Sequence, residues 1–117
     1  MLVIDDEVDL LQTYERLLRR MGCDVITAER GQDGLAIAQS RHVALVVVDL
    51  RLPDIDGLAL VRALRARPDP PPVIVITGFG SAETRQAALD AGAAGYLGKP
   101  FSVLAFAALL RNVLGGL

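Results

Sequence analysis

Five polar side chains stand where short apolar runs of the sequence end, and together they suit phosphoryl chemistry. They are Asp5 and Asp6, then Asp49, Thr77 and Lys99. Carboxylates that lie close together repel one another unless a cation or a proton neutralises them. Mg²⁺ is suited to a site with few carboxylates plus water. Lys99 and Thr77 would bind oxygens of a phosphoryl group while Asp49 attacks the phosphorus.

The central apolar run, residues 44–49, predicts the strand that carries the most important of these groups. It is mostly β-branched, it ends in Asp49, and a loop with Pro53 and Gly57 follows it. Such a run is typical of a parallel strand that is buried on both faces. Open α/β sheets bind ligands at the carboxyl ends of their strands. The sequence therefore places the Asp49 carboxylate at the mouth of a site.

Apolar runs and helical periodicity alternate five times along the chain. The strands are predicted over residues 2–6, 24–28, 43–49, 73–77 and 95–98, and the helices over 10–21, 34–39, 57–67, 81–91 and 101–114. This alternation predicts an α/β fold with a parallel sheet and helices on both faces. For five units the flavodoxin-like strand order 2-1-3-4-5, a (βα)5 three-layer sandwich, is the natural choice. That order makes the first and third strands neighbours, so their terminal acids would meet.

Length and composition set further expectations. The 117 residues suit one domain spanning 1–117, and the net charge of −2 gives no basic surface for nucleic acid or anionic lipid. Cys23 is the single cysteine, which excludes an internal disulfide and favours a small buried thiol. His42 is expected on the surface. No signal peptide or membrane-length apolar run is visible, so a cytoplasmic protein is expected.

The polar residues also form a set of motifs in one order along the whole chain, and with them the sequence resembles the CheY-like receiver domains of bacterial two-component response regulators. Each motif alone is common, whereas together, each at a strand end, they make a specific match. The matching features are the pair Asp5-Asp6, Asp49, the loop Leu52-Pro53-x-x-Asp56-Gly57, Thr77-Gly78, Tyr96, and Lys99-Pro100-Phe101.

The resemblance implies a role for each group at the site. Asp49 would be the phosphoacceptor, taking a phosphoryl group from a histidine kinase or phosphotransfer protein. Asp6 and Asp49 would bind Mg²⁺ directly, together with the backbone carbonyl of Arg51, and Asp5 would help through water. Lys99 would pair with the acyl phosphate. The domain would be a signalling switch and an enzyme only in its own phosphorylation and dephosphorylation.

The resemblance also implies how a signal would leave the site. Thr77 would move toward the phosphoryl group and Tyr96 would turn inward behind it. The change would reach the face made by the fourth helix, the fifth strand and the last helix, which would contact an output domain, an effector protein or a second copy. Arg51 and Phe79 stand at positions that tune the lifetime of the phosphoryl group in this family. The Lys99–Pro100 bond would be cis.

Other interpretations remain open at this point. Asp49 and Thr77 are each residue types that cap turns. Lys99 would alternatively lie in a solvated loop with its ammonium exposed, and Tyr96 would serve only to pack against its neighbours. A haloacid-dehalogenase-like phosphatase would need an acid where Arg51 stands. A pseudo-receiver usually lacks an acid or the lysine, and a flavin-binding module would need a phosphate-binding loop after the first strand. The last helix is apolar almost all round, which is typical either of an Ala-rich helix or of an exposed docking strip.

Overall fold

Five strands alternate with five helices in the computed structural model, which describes residues 1–78 and 80–115. The strands are β1 (Leu2–Ile4), β2 (Ile26–Ala28), β3 (Val46–Asp49), β4 (Val73–Thr77) and β5 (Gly95–Gly98). The helices are α1 (Val8–Arg20), α2 (Gly31–Ser40), α3 (Gly57–Arg65), α4 (Ala82–Asp90) and α5 (Val103–Leu114).

All strand pairs in the sheet are parallel, and the strand order is β2-β1-β3-β4-β5. In the register, Leu2 stands beside both Ile26 and Val46. The predicted α/β fold class and strand order are therefore confirmed. The order reverses between β1 and β3, which is where a doubly wound sheet opens a crevice at its carboxyl edge.

The core lies on both faces of the sheet, because alternate strand residues point to opposite sides. On one face the strands pack against α1 and α5, through Leu11, Tyr14, Leu18, Phe106 and Leu110. On the other face they pack against α2, α3 and α4, mainly through Leu60, Val61 and Leu64 of α3. This two-sided burial explains why β3 and β4 are continuous apolar runs without polar alternation.

Several element boundaries differ from the predicted ones. The strands β2 and β3 begin at Ile26 and Val46, later than the predicted residues 24 and 43, because these two residues pair with Leu2, where β1 itself begins. The helix α1 begins at Val8, two residues earlier than predicted. The helix α5 begins at Val103, after Ser102, whose hydroxyl accepts the N–H of Ala105 as an N-cap.

The burial of Cys23 and His42 tests two further predictions from the sequence. Cys23 is only partly buried at the edge of the core on the α1–α5 side, so the expectation of a buried thiol was wrong. His42 is exposed, as predicted.

At the start of α5, Val103 and Leu104 are 56% and 82% exposed, which matches the exposed-strip interpretation for that turn. Among residues 1–78 and 80–115, no helix is long and apolar enough to span a membrane.

Candidate functional site

Three carboxylates meet at the carboxyl edge of the sheet, where β1 and β3 are neighbours. Asp5 and Asp6 directly follow β1, and Asp49 is the last residue of β3. Oxygen atoms of the three side chains lie within 4.8 Å of one another. Asp5 and Asp49 are only 1% and 4% exposed, whereas Asp6 faces solvent. The site is therefore a half-open acidic crevice with two buried acids at its base.

Backbone N–H groups orient the two buried carboxylates. The N–H of Glu7 donates to Oδ1 of Asp5 at 2.9 Å, and the N–H of Arg51 donates to Oδ1 of Asp49 at 3.0 Å. Each donor lies two residues after its acid, which is the geometry of an Asx-turn. In both acids the second oxygen is left to face the centre of the crevice.

Lys99 reaches that centre from the loop after β5. Its Nζ donates to Oδ2 of Asp5 at 3.0 Å, to Oδ2 of Asp49 at 2.9 Å and to Oε1 of Glu7 at 2.9 Å. The three donors of the ammonium are thus all used. The side chain is 14% exposed, so the alternative interpretation of Lys99 as a solvated loop residue with an exposed ammonium is wrong. The Lys99–Pro100 bond that follows is cis, as the resemblance implied.

The contact between Glu7 and Lys99 was not predicted from the sequence. The two residues are 92 positions apart, and nothing in the local sequence of Glu7 indicates a partner. One signal was available, because Glu7 directly follows the acidic pair and therefore leaves β1 at the same edge of the sheet. Its side chain is 60% exposed, so this partner of the Lys99 ammonium is largely in contact with solvent.

Charge and burial shift the protonation of these groups. Burial raises the pKa of Asp5 to about 6, although the N–H of Glu7 and the Lys99 ammonium act in the opposite direction. Burial alone would lower the pKa of Lys99, but its hydrogen bonds to Asp49, Glu7 and Asp5 outweigh that effect and raise it. One cation thus faces four acids when Asp6 is included, which leaves a surplus of negative charge in the crevice.

The donor set of the crevice fits a hard divalent cation. Such ions take oxygen ligands, and Mg²⁺ commonly binds through one or two carboxylates together with water. The three aspartates offer oxygens close enough to share one ion, and the exposed position of Asp6 leaves one side of the crevice open to water. A cation here would also relieve the repulsion between the buried acids.

The remaining predicted residues lie along β4 and β5. Thr77 ends β4, is 2% exposed, and its carbonyl accepts the N–H of Lys99 at 2.8 Å. The ring of Tyr96 packs on the α3–α4 side of the sheet, and its hydroxyl is buried without a hydrogen-bond partner among the described residues. A Cβ atom on Gly80 would lie 1.9 Å from that hydroxyl, so the ring reaches the loop after Thr77. Phe79 lies outside the described residues.

Two acids of the loop between β3 and α3, Asp54 and Asp56, accept backbone hydrogen bonds with their side chains. Asp56 does so locally, since its carboxylate accepts the N–H of Leu58 at 3.3 Å and caps α3. Asp54 reaches further and caps α2, because its carboxylate accepts the N–H groups of Gly31 and Gln32. Arg51, which was expected to offer its carbonyl to a metal, is exposed at the start of this loop.

The fold and the site together define a class of protein. It is a doubly wound α/β domain in which three aspartates and one lysine lie in a crevice where the strand order of the sheet reverses. The family model described as "Response regulator receiver domain" matches residues 1–111. The chain therefore belongs to the receiver domain family of two-component response regulators.

Individual relatives agree with this assignment. The chain is 39% identical over 113 residues to the "Transcriptional regulatory protein PrrA" of Mycobacterium tuberculosis, covering 97% of this chain and 48% of that protein. The chain thus spans about half the length of the curated relatives it matches. The receiver domain of NtrX from Brucella abortus has a TM-score of 0.89 at 32% identity, over 97% of this chain and 96% of that one.

A further solved structure contains a modified aspartate and small ligands. It is a response regulator protein from Burkholderia pseudomallei "with a phosphorylated aspartic acid, calcium ion and citrate". Its TM-score is 0.84 at 34% identity, over 93% of this chain and 64% of that one.

Proposed function

We propose that this domain takes a phosphoryl group onto Asp49 from the phosphohistidine of a histidine kinase or phosphotransfer protein, and switches an output with it. The observation that carries the proposal is the convergence on Asp49 of two further aspartates and the Lys99 ammonium. The phosphorylated aspartic acid in the solved relative from Burkholderia pseudomallei supports the same chemistry.

The transfer itself would exchange one bond to phosphorus for another. A carboxylate oxygen of Asp49 forms an O–P bond while the N–P bond to the donor imidazole breaks, and the electron pair of that bond leaves with the imidazole nitrogen. The N–H of Arg51 holds Oδ1 of Asp49 and so fixes the rotation of the carboxylate. Positioning of this kind is a large part of phosphoryl-transfer catalysis.

The charges around Asp49 would be redistributed as the phosphoryl group arrives. Asp6, Asp49 and the carbonyl of Arg51 would hold Mg²⁺, with Asp5 acting through water. When bound, Mg²⁺ supplies positive charge that offsets the charge on the transferring phosphoryl oxygens. Lys99 now donates to Oδ2 of Asp49 and lies where it would donate to a phosphoryl oxygen instead.

The switching step would use Thr77 and Tyr96. A Thr77 hydroxyl drawn to the phosphoryl group would change the loop that Tyr96 contacts at Gly80. The change would then reach the face of α4, β5 and α5. Leu104 at the start of α5 is 82% exposed and offers apolar surface for an output domain, an effector or a second copy.

The names of relatives indicate the kind of output that the domain would control. Two curated relatives, PrrA of Mycobacterium tuberculosis and ycf27 of Cyanophora paradoxa, are named as transcriptional regulators, the second as a probable one, and the chain covers about half of each. We therefore infer that the domain controls transcription through an attached or separate partner, without itself binding nucleic acid, and that it acts in the cytoplasm.

The experiment that tests the proposal is intact-protein mass spectrometry after incubation with acetyl phosphate. We expect one added phosphoryl group on the chain with Mg²⁺, and none on the Asp49→Asn variant or in the presence of a chelator. Asp56→Asn, which changes an acid in the same loop, is the matched control and should still be labelled. A folded, Mg²⁺-binding chain that is never labelled would instead indicate a pseudo-receiver, and equal labelling of the Asp49→Asn variant would exclude Asp49 as the acceptor.

A further inference from the structure

The loop between β3 and α3 is held at its outer end by the beginning of α2. Oδ1 of Asp54 accepts the N–H of Gly31 at 2.8 Å, and Oδ2 accepts the N–H of Gln32 at 2.9 Å. The residue before the helix, Arg30, provides no side-chain cap. Asp54 therefore caps a helix that lies more than twenty residues earlier in the chain. Both partners are among the N–H groups that have no acceptor inside their own helix.

Packing reinforces this attachment. A Cβ atom on Gly31 would lie 2.0 Å from Cγ2 of Ile55 and 3.2 Å from Cδ1 of Leu52. The loop thus rests directly on the Gly31 backbone, in space that any side chain would fill. The N–H groups of Gln32 and Gly31 also hold the pKa of Asp54 below its ordinary value, so the carboxylate is charged at neutral pH.

The inner end of the same loop carries the groups nearest to Asp49. The N–H of Arg51 donates to Oδ1 of Asp49 at 3.0 Å, and Arg51 forms an antiparallel bridge with Asp56. The loop is closed where the N–H of Gly57 donates to the carbonyl of Leu50 at 3.2 Å. A Cβ atom on Gly57 would lie 2.4 Å from Cα of Leu50, so the two ends of the loop are in close contact.

Little chain separates the two ends of this arrangement. Between Arg51 and Asp54 lie only Leu52 and Pro53, and the proline ring fixes its own φ angle. Because few backbone dihedral angles lie between Asp54 and Arg51, a displacement of Asp54 would also move the Arg51 peptide. The N-terminal end of α2 and the orientation of the Asp49 carboxylate are therefore mechanically linked.

We propose that Asp54 is a positioning residue for the phosphoacceptor site, because its attachment to α2 fixes the Arg51 peptide that orients Asp49 and would bind Mg²⁺. This inference rests on the proposed function for the role of Arg51. It assigns control over the affinity of the acidic crevice for a divalent cation to Asp54, whose carboxylate is hydrogen-bonded to α2. Groups that support a metal site in this indirect way commonly affect metal affinity by about 10- to 100-fold.

The test compares Asp54→Ala with Asp33→Asn, a change of an exposed acid in the first turn of the same helix. The apparent Mg²⁺ affinity is measured by the Mg²⁺-dependent rise in the thermal unfolding midpoint, which requires no phosphorylation. The rate of phosphoryl uptake from acetyl phosphate is then followed against Mg²⁺ concentration. We expect Asp54→Ala to raise the half-saturating Mg²⁺ concentration by about tenfold, with a limiting rate that changes by less than about twofold. Asp33→Asn should leave both unchanged.

The outcomes separate this inference from the proposed function. If Asp54→Ala binds Mg²⁺ as the unaltered chain does, Asp54 is only a helix cap and the inference is overturned. If the unaltered chain is never phosphorylated, the proposed function fails, while the thermal measurement still decides the role of Asp54. Should Asp54→Ala not fold, Asp54→Asn, which keeps one acceptor oxygen, serves in its place with an expected shift of about threefold. An unchanged Mg²⁺ affinity in that variant would overturn the inference equally.

Discussion

Replacing Asp5 by asparagine should make the metal-free domain more stable at neutral pH, although it removes a partner of Lys99. Asp5 is 1% exposed, and burial raises its pKa to about 6. Asparagine has nearly the same size and keeps an acceptor for the N–H of Glu7, but it carries no charge. The variant therefore isolates the cost of keeping a carboxylate ionised at the base of the crevice.

The magnitude follows from the difference between the folded and unfolded pKa values. A carboxyl group in an unfolded chain has a pKa near 3.9, and the shift to about 6 favours the protonated form in the folded state. Such a carboxyl group stabilises the folded state fully at a pH below its unfolded pKa, and this stabilisation is lost as the pH rises through its folded pKa. About 2 pKa units correspond to about 3 kcal/mol, of which about 2 kcal/mol is lost between pH 4.5 and pH 8.

The assay is urea denaturation of the unaltered chain and the Asp5→Asn variant in the presence of a chelator. As the pH rises from 4.5 to 8, the free energy of unfolding of the variant should increase by about 2 kcal/mol relative to that of the unaltered chain. The exposed acid Asp33, changed to asparagine, is the matched control and should not become more stable relative to the unaltered chain as the pH rises. A difference that does not vary with pH, or that favours the unaltered chain at pH 8, would refute the reasoning, since pairing with Lys99 would then outweigh burial.

Two further predictions concern the neighbours of this acid. The Lys99→Ala variant should still fold, but its free energy of unfolding without metal at pH 7 should be lower by about 3 kcal/mol, because Asp5 and Asp49 are left buried without their cation. Urea denaturation measures this loss, and Mg²⁺ should restore part of it. An unchanged stability without metal would contradict the assigned ion pairs. Tyr14→Phe should raise stability by about 1 kcal/mol, because the Tyr14 hydroxyl is buried without a hydrogen-bond partner among the described residues. The same denaturation experiment checks it, and a loss of stability would point to a water bound at that hydroxyl.

The strand order and the meeting of the acids were accessible from the sequence, because both depend on repeated, simple patterns. The runs around Val46–Asp49 and Val73–Thr77 are apolar over their whole length, which only burial on both faces explains. Once the order is fixed, the parallel arrangement brings the ends of β1 and β3 to one edge. The polar residues at those ends then meet without any further assumption.

Features that depend on distant contacts were not accessible in this way. The start of α2 at Gly31 follows from a cap supplied by Asp54, and no residue next to Gly31 signals it. The burial of Lys99 follows from three acids that surround it in space, one of which, Glu7, has no recognisable partner in the sequence. Local propensity sets where elements form, whereas tertiary contacts decide where they begin and which charges are paired.

The composition of α4 has a consequence for how much free energy a change of shape in this domain would require. Ala88 is the only buried residue of α4, whereas α3 buries Leu60, Val61 and Leu64 together with Gly57. Burial of an alanine methyl contributes about 1 kcal/mol or less, against about 2–3 kcal/mol for each larger side chain. A displacement of α4 from the sheet would therefore expose little apolar surface, and local opening of this kind draws on the least stable parts of a fold. A binding partner that prefers the displaced helix by as little as about 1.4 kcal/mol would shift its population about tenfold. The domain thus holds its acidic crevice on firmly packed strands and places a lightly packed helix directly after the loop that follows Thr77.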